Sequence, residues 1–197
     1  MPAEVSPFQR LRVFYQERFR PVYDRFSSNG NVPQEIHAEL AAAFDHFLRK
    51  TEGDATSVSE HEVERIIGHV KRATFDAFKL VHRDEIKRAY TQLLSGRYAE
   101  VHDGRLHAEA NALWNRAREI SMEARQLESL SGKIDTESWN RAFDKWNELL
   151  PIADEFARIL ASDEIARAAA KSRWHIAVQV GWGLLLAVLG VVLGKVF

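Results

Sequence analysis

The chain has 197 residues, no cysteine and a formal net charge of −1 at pH 7. These values exclude a disulfide framework, a cysteine-bound zinc site and a strongly basic surface for nucleic acid. The length is sufficient for one domain with a substantial hydrophobic core.

The apolar residues follow a helical pattern over most of the chain. The opening stretch MPAEVSPFQRLRVFYQ has no apolar central region, so we expect no signal peptide. Glycine with small polar residues interrupts the pattern at 27–33, 51–59, 95–104 and 131–135, which leaves five predicted helices. No window alternates with a period of two residues, so no sheet is expected. The predicted fold class is all-α. We expect a cytoplasmic bundle of about five helices, some of them long and heptad-patterned, and one C-terminal transmembrane helix after it.

The first two predicted helices are rich in aromatic residues. Pro21 predicts a bend in the first helix, and Pro33 suits the first position of the second. Aromatic residues at helical spacing bury a large apolar area, so we interpret both stripes as core. The stripes are Phe8, Leu11, Tyr15, Phe19, Val22 and Phe26, followed by Ile36, Leu40, Phe44 and Phe47.

The third predicted helix is long and begins at Ser59, which forms a capping-box pattern with Glu62. Its apolar stripe contains a five-residue step from Val81 to Ile86. This step predicts a local break near His82 or a change of packing partner. The stripe consists of Val63, Ile66, Val70, Ala73, Ala77, Val81, Ile86, Ala89 and Leu93.

The last two helices before the C-terminal run carry complementary heptad stripes, one of small and one of bulky side chains. The short SGKID connection predicts that they pair as an antiparallel hairpin, with an intermolecular coiled coil as the alternative. Pro151 predicts a kink in the second helix, with the apolar phase unchanged on both sides. The first stripe is Leu106, Ala110, Leu113, Ala117, Ile120, Ala124 and Leu127; the second is Trp139, Phe143, Trp146, Leu150, Ala153, Ala157 and Leu160.

The eight histidines show no spacing typical of a metal site. His61 and His69 lie near acidic residues, namely Glu60, Glu62 and Glu64, which we interpret as a solvated helix surface. The part of the chain before the C-terminal run has no glycine-rich phosphate loop and no G-x-S-x-G motif. We therefore expect no metal and no cofactor.

The stretch Arg97-Tyr98-Ala99-Glu100-Val101-His102 resembles the R-x4-H signature of the HEPN family. That resemblance implies an all-helical ribonuclease that acts as a dimer without a metal ion. Arg97 would hold a phosphate and His102 would transfer a proton. Tyr98 departs from the family pattern, in which a polar residue typically follows the arginine. We therefore keep a membrane-tethered ribonuclease as the alternative function. Under the main interpretation, we do not expect nucleic acid to be a partner.

The C-terminal part of the chain has the length and composition of a membrane span. No charged side chain occurs from Ile176 to Gly194, and such a helix reaches roughly the ~30 Å of a bilayer core. More basic residues precede this run than follow it, which predicts a cytoplasmic N-terminal part. The predicted residues at the membrane interface are Arg167, Lys171, Arg173, Trp174, Trp182 and Lys195.

Small residues recur along one side of this run. On a helix with about 100° per residue, Gly183, Ala187, Gly190 and Gly194 fall within a narrow arc beside Gln179. Small residues and a single amide favour close helix–helix contact in lipid, so we expect the run to self-associate. The simpler interpretation is the usual glycine content of membrane helices.

Together these patterns predict a cytoplasmic bundle over 1–162, a helical connector over 163–173 and a membrane anchor over 174–197. The expected protein is tail-anchored, spans the bacterial inner membrane once and acts by assembly as a homo-oligomer, either as a scaffold or as a pore-type effector. Its expected partners are the lipid bilayer and a protein bound by the cytoplasmic helices. In architecture the chain resembles membrane effectors of prokaryotic anti-phage systems.

Overall fold

The computed structural model describes residues 6–27, 32–51, 59–95, 104–130 and 136–163, together with Tyr98, residues 165–167 and Ala170. Within these ranges the chain is all-α and contains no strand. This confirms the predicted helical class. The helices are α1 (Pro7–Phe14), α2 (Arg20–Ser27), α3 (Gln34–Thr51), α4 (Glu60–Leu80), α5 (Lys87–Leu93), α6 (Arg105–Leu130), α7 (Thr136–Asn147) and α8 (Leu149–Leu160).

The chain divides into two compact units. The first comprises Met1–Asp84 and Ile120–Leu149, and the second comprises Glu85–Glu119 and Leu150–Phe197. The first unit therefore contains α1 to α4, the C-terminal part of α6 and α7. The second contains α5, the N-terminal part of α6 and nearly all of α8.

Local sequence signals account for where three of the helices begin. Ser6 and Gln9 form a capping box at the start of α1, where proline occupies the first turn. The Ser59 hydroxyl accepts a hydrogen bond from the Glu62 N–H and so caps α4, as predicted. Gly104, with φ of 85°, directly precedes α6, and glycine adopts this left-handed conformation at little cost.

Two π-helical turns interrupt otherwise α-helical chain. The first spans Tyr15–Phe19 and joins α1 to α2, shortly before Pro21. The second spans Val81–Ile86 and joins α4 to α5. A π turn holds one more residue than an α turn, so it matches the five-residue step in the apolar stripe. The break predicted near His82 is therefore a π turn.

Helix α4 is the centre of the first unit, since α1, α2, α3 and α7 all pack against it. Its predicted stripe is buried throughout, with Phe75 and Phe78 added to it. The Trp139 ring of α7 stacks on Phe75 at 5.3 Å between centroids, and Trp146 stacks on Phe78 at 6.3 Å. These rings supply much of the apolar area that holds α7 on α4.

Contacts of α6 agree with the predicted antiparallel hairpin in each unit separately. In the first unit Lys145 of α7 forms an ion pair with Glu123 of α6 at 2.8 Å. In the second unit Arg158 of α8 interacts electrostatically with Glu109. Both pairs are centred on the SGKID connection in sequence, which is the register of an antiparallel hairpin.

The helix that contains Pro151 is interrupted at Glu148, which separates α7 from α8. Pro151 has no N–H to donate to the Asn147 carbonyl, and its ring clashes with that carbonyl. At the turn, the Glu148 N–H donates to the Lys145 carbonyl at 3.2 Å. A kink was predicted here, whereas the structure breaks the helix in two. Buried positions still recur every three or four residues from Trp139 to Ile159, but the buried residues after the turn differ from those predicted. Beyond the turn Ala157 is exposed, and the buried residues are Leu149, Ile152, Ala153, Phe156 and Ile159.

The prediction that both N-terminal aromatic stripes lie in the core is wrong in part. Phe19, Val22, Phe26 and Ile36 are buried. In contrast, Phe8, Tyr15 and Phe44 are exposed by 41%, 40% and 60%. Helical spacing places these rings on one side of their helices, but it does not supply another helix to cover them.

Candidate functional site

Most of the residues predicted to carry function lie outside the residues that the structure describes. Among the predicted interface residues, only Arg167 is described, and its Nε donates a hydrogen bond to the Asp163 carbonyl at 3.2 Å. Among the described residues, no helix has the length and apolar composition needed to cross a membrane. Outside the described residues lie Arg97, His102, Lys171, Arg173, Trp174, Gln179, Trp182, Gly183, Ala187, Gly190, Gly194 and Lys195.

Tyr98, between the two residues of the R-x4-H stretch, is described. It is only 4% exposed, and its N–H donates to the Ser95 carbonyl at 3.1 Å. The Tyr98 side chain is therefore shielded from solvent.

The exposed N-terminal aromatic residues surround a groove in the first unit. Helices α1 and α3 form its walls and α4 forms its floor, and its volume is about 400 Å³. This volume falls within the range of small-molecule sites in proteins, about 300–1,000 Å³. The lining residues are Phe8, Leu11, Arg12, Tyr15, Leu40, Ala43, Phe44, Phe47, Ile66 and Val70.

Among the residues that the structure describes, Arg12 is the one charged residue that lines this groove. Its side chain is exposed, and its guanidinium has no ion pair or hydrogen bond to any residue in the described ranges. The neighbouring Arg10 differs, because it forms ion pairs with Glu60 at 2.7 Å and Glu64 at 3.1 Å. Among the described residues, nothing compensates the positive charge that Arg12 places beside this apolar surface.

A polar network joins α3 to α4 elsewhere in the same unit. One carboxylate oxygen of Glu39 lies 2.8 Å from the His69 Nδ1 and 2.9 Å from the Arg72 Nε. The His69 ring lies 5.2 Å from that of His46, which in turn lies 3.8 Å from Glu62. Two histidine–carboxylate pairs therefore lie side by side between the two helices.

The electrostatics of Glu39 follow from these contacts. Partial burial acts to raise the pKa of its carboxyl group, but the hydrogen bonds and positive charges of His69 and Arg72 outweigh burial and lower that pKa. Glu39 is therefore held as a carboxylate, and it orients His69 through the ring nitrogen Nδ1.

This network is not a metal site in the structure. Among the described residues, no group of three or more histidine and acidic side chains is arranged to hold a metal ion. The network also differs from the sequence-based interpretation of His69, since the carboxylate bound to it comes from α3. Glu60 and Glu64, which are closer in sequence, bind Arg10 instead.

Neither the groove nor the Glu39–His69 pair was predicted from the sequence. The exposed rings of the groove carried a signal, because three of them belong to the two predicted stripes. No sequence pattern indicated the pairing of Glu39 with His69, since the two residues are separated by 30 positions. Comparison of the chain with protein-family models, with curated proteins and with solved structures found no match.

Proposed function

We propose that this protein is a membrane-anchored helical protein that acts by assembling with copies of itself, as a scaffold or a pore-type effector. The observation that carries the proposal is the uncharged run from Ile176 to Gly194 with its narrow arc of small residues. A run of this length suits a membrane span, and small residues allow the backbones of two spans to approach closely.

The first helical unit is consistent with a role in interaction. Its groove brings exposed aromatic side chains together on one concave surface, and contiguous apolar surfaces of this kind mark sites that bind other molecules. The network at Glu39 ties α3 to α4, and the aromatic stack ties α7 to α4. The unit thus provides a firm support for that surface.

Membrane fractionation tests the anchor. Ending the chain after Arg173 should give a folded protein that stays in the soluble fraction, whereas the full chain should remain in membranes after carbonate washing. Leu185→Arg provides a full-length control, because a central arginine disfavours insertion by about 2.5–3.5 kcal/mol on insertion scales. A truncated chain that still remained in carbonate-washed membranes would contradict the proposed anchor.

The alternative is a membrane-tethered ribonuclease that uses Arg97 and His102. Its test uses the full chain with RNA in the presence of a chelator. If assembly is the main function, the wild type should not cleave RNA. Arg97→Ala and His102→Ala should then assemble like the wild type. Chelator-resistant cleavage that each substitution abolishes, with helicity unchanged, would favour the ribonuclease instead.

A further inference from the structure

In the described part of the chain, the groove of the first unit combines an apolar interior with one cationic side chain. Nine of its ten lining residues carry no charge, and among those nine only Tyr15 has a polar side-chain group. A ligand inside it therefore finds almost no hydrogen-bonding partner, and a polar interior group would lose its hydration without compensation. The chemistry of the lining selects a hydrocarbon.

The exposure of the rings supplies the driving force. Phe8, Tyr15 and Phe44 are each exposed by 40% or more, although all three line one concave surface. Covering them with hydrocarbon removes apolar area from water on both the protein and the ligand, and affinity then rises with each added methylene.

The positive charge of Arg12 favours a ligand whose polar end is negatively charged. Within the described ranges its guanidinium has no partner, and its planar donors match the two oxygens of a carboxylate. We propose that this groove binds a single-chain fatty acid, with the alkyl chain against α1, α3 and α4 and the carboxylate on Arg12. The proposal goes beyond assembly through the membrane span and does not depend on it.

Size and charge favour a fatty acid over a peptide helix. A helix with its side chains is about 10–12 Å across, so only some of its side chains could enter a volume of about 400 Å³. A flexible alkyl chain can lie along the groove, and the negative charge of its carboxylate matches Arg12, the one charged side chain among the described lining residues. Binding of a peptide helix or of a second copy remains an outcome of the test.

Photo-crosslinking to the full chain in nanodiscs tests the proposal. The probes are alkyl carboxylates with a terminal diazirine, added below their micelle concentration and compared with an alcohol and a trimethylammonium of equal length. Mass spectrometry of peptides that contain residues 8–15 and 40–47 reports the groove. Because the readout is confined to these peptides, it does not depend on labelling of the span or on oligomeric state.

We expect the carboxylate to label both groove peptides, with labelling rising about two- to fourfold per methylene from dodecanoate to hexadecanoate. Arg12→Glu should reduce labelling by the carboxylate about tenfold, as expected for loss of a charge-assisted hydrogen bond, and should not reduce labelling by the alcohol. Phe44→Asp should reduce labelling by both.

Two substitutions on α6 serve as matched controls. Met122 has the same 60% exposure as Phe44, so Met122→Asp controls for the loss of an exposed apolar residue. Arg118 is exposed, so Arg118→Glu controls for charge reversal. Both variants should label like the wild type. The proposal would be overturned if the trimethylammonium labelled the groove as strongly as the carboxylate, or if Arg12→Glu left labelling by the carboxylate unchanged. It would also be overturned if the groove residues crosslinked to another protein chain.

Discussion

Glu39 is held by two side chains of the neighbouring helix, and this arrangement gives a single carboxylate an effect on stability. His69 and Arg72 both contact the same oxygen, within 2.9 Å. The resulting decrease in the pKa of Glu39 means that the folded chain binds this proton less tightly than the unfolded chain does. Glu39 therefore stabilises the fold above its ordinary pKa near 4.5, and this contribution is lost as the pH falls through the lower folded-state pKa.

Glu39→Gln should lower the free energy of unfolding by about 1 kcal/mol at pH 7, because it removes a charge-assisted interaction at a partly exposed site. The difference from wild type should decrease as the pH is lowered from 7 to well below 4.5, because the wild-type carboxyl group is protonated as the pH falls through its lowered pKa. Urea unfolding of the two proteins at both pH values measures this. Glu17→Gln is the control, since Glu17 is exposed and forms no ion pair with the described residues. An equal loss of stability at both pH values would show that shape, and not charge, determines the effect.

At the scale of the element, the second π turn shows how one extra residue is accommodated within a helix. Val81 and Ile86 are both fully buried although they are five residues apart. In a regular α-helix this spacing would point the two side chains about 140° apart, and the wider π turn reduces that angle.

Deleting Asp84 tests this account. The deletion shortens the step to four residues, so an ordinary α turn can replace the π turn while Val81 and Ile86 stay buried. The variant should keep its helicity and a cooperative unfolding transition, measured by circular dichroism. Deleting Arg118, an exposed residue within the regular helix α6, should instead rotate the following stripe by about 100° and disrupt folding. Equal damage from the two deletions would contradict the account.

Helices and their apolar faces could be predicted from the sequence because the residues that determine them are close to one another along the chain. The cap at Ser59, the irregular turn after Val81 and the break before Pro151 all follow from such local patterns. What covers a face is decided by residues far away in sequence, so the exposure of Phe44 could not be predicted. The pairing of Glu39 with His69 was hidden for the same reason.

At the scale of the whole molecule, the proposal joins a helical part with an apolar groove to a run suited to a bilayer. In this proposal, the small residues of that run form the contact between copies. If Gly183, Ala187, Gly190 and Gly194 form the contact, a bulky side chain there separates two backbones. Replacing Gln179 by leucine should have a smaller effect, since it removes about 1–2 kcal/mol or less from a hydrogen bond in lipid.

The most direct test of assembly is the oligomer population of three glycine variants of the full chain, measured by crosslinking and mass photometry in detergent or nanodiscs. Gly190→Leu and Gly194→Leu should decrease the oligomer fraction severalfold, while Gly181→Leu, on the opposite side of the helix, should leave it unchanged. All three variants become more apolar, so differences in membrane insertion do not explain such a result. Equal oligomer populations in the three variants would contradict association through the small-residue arc.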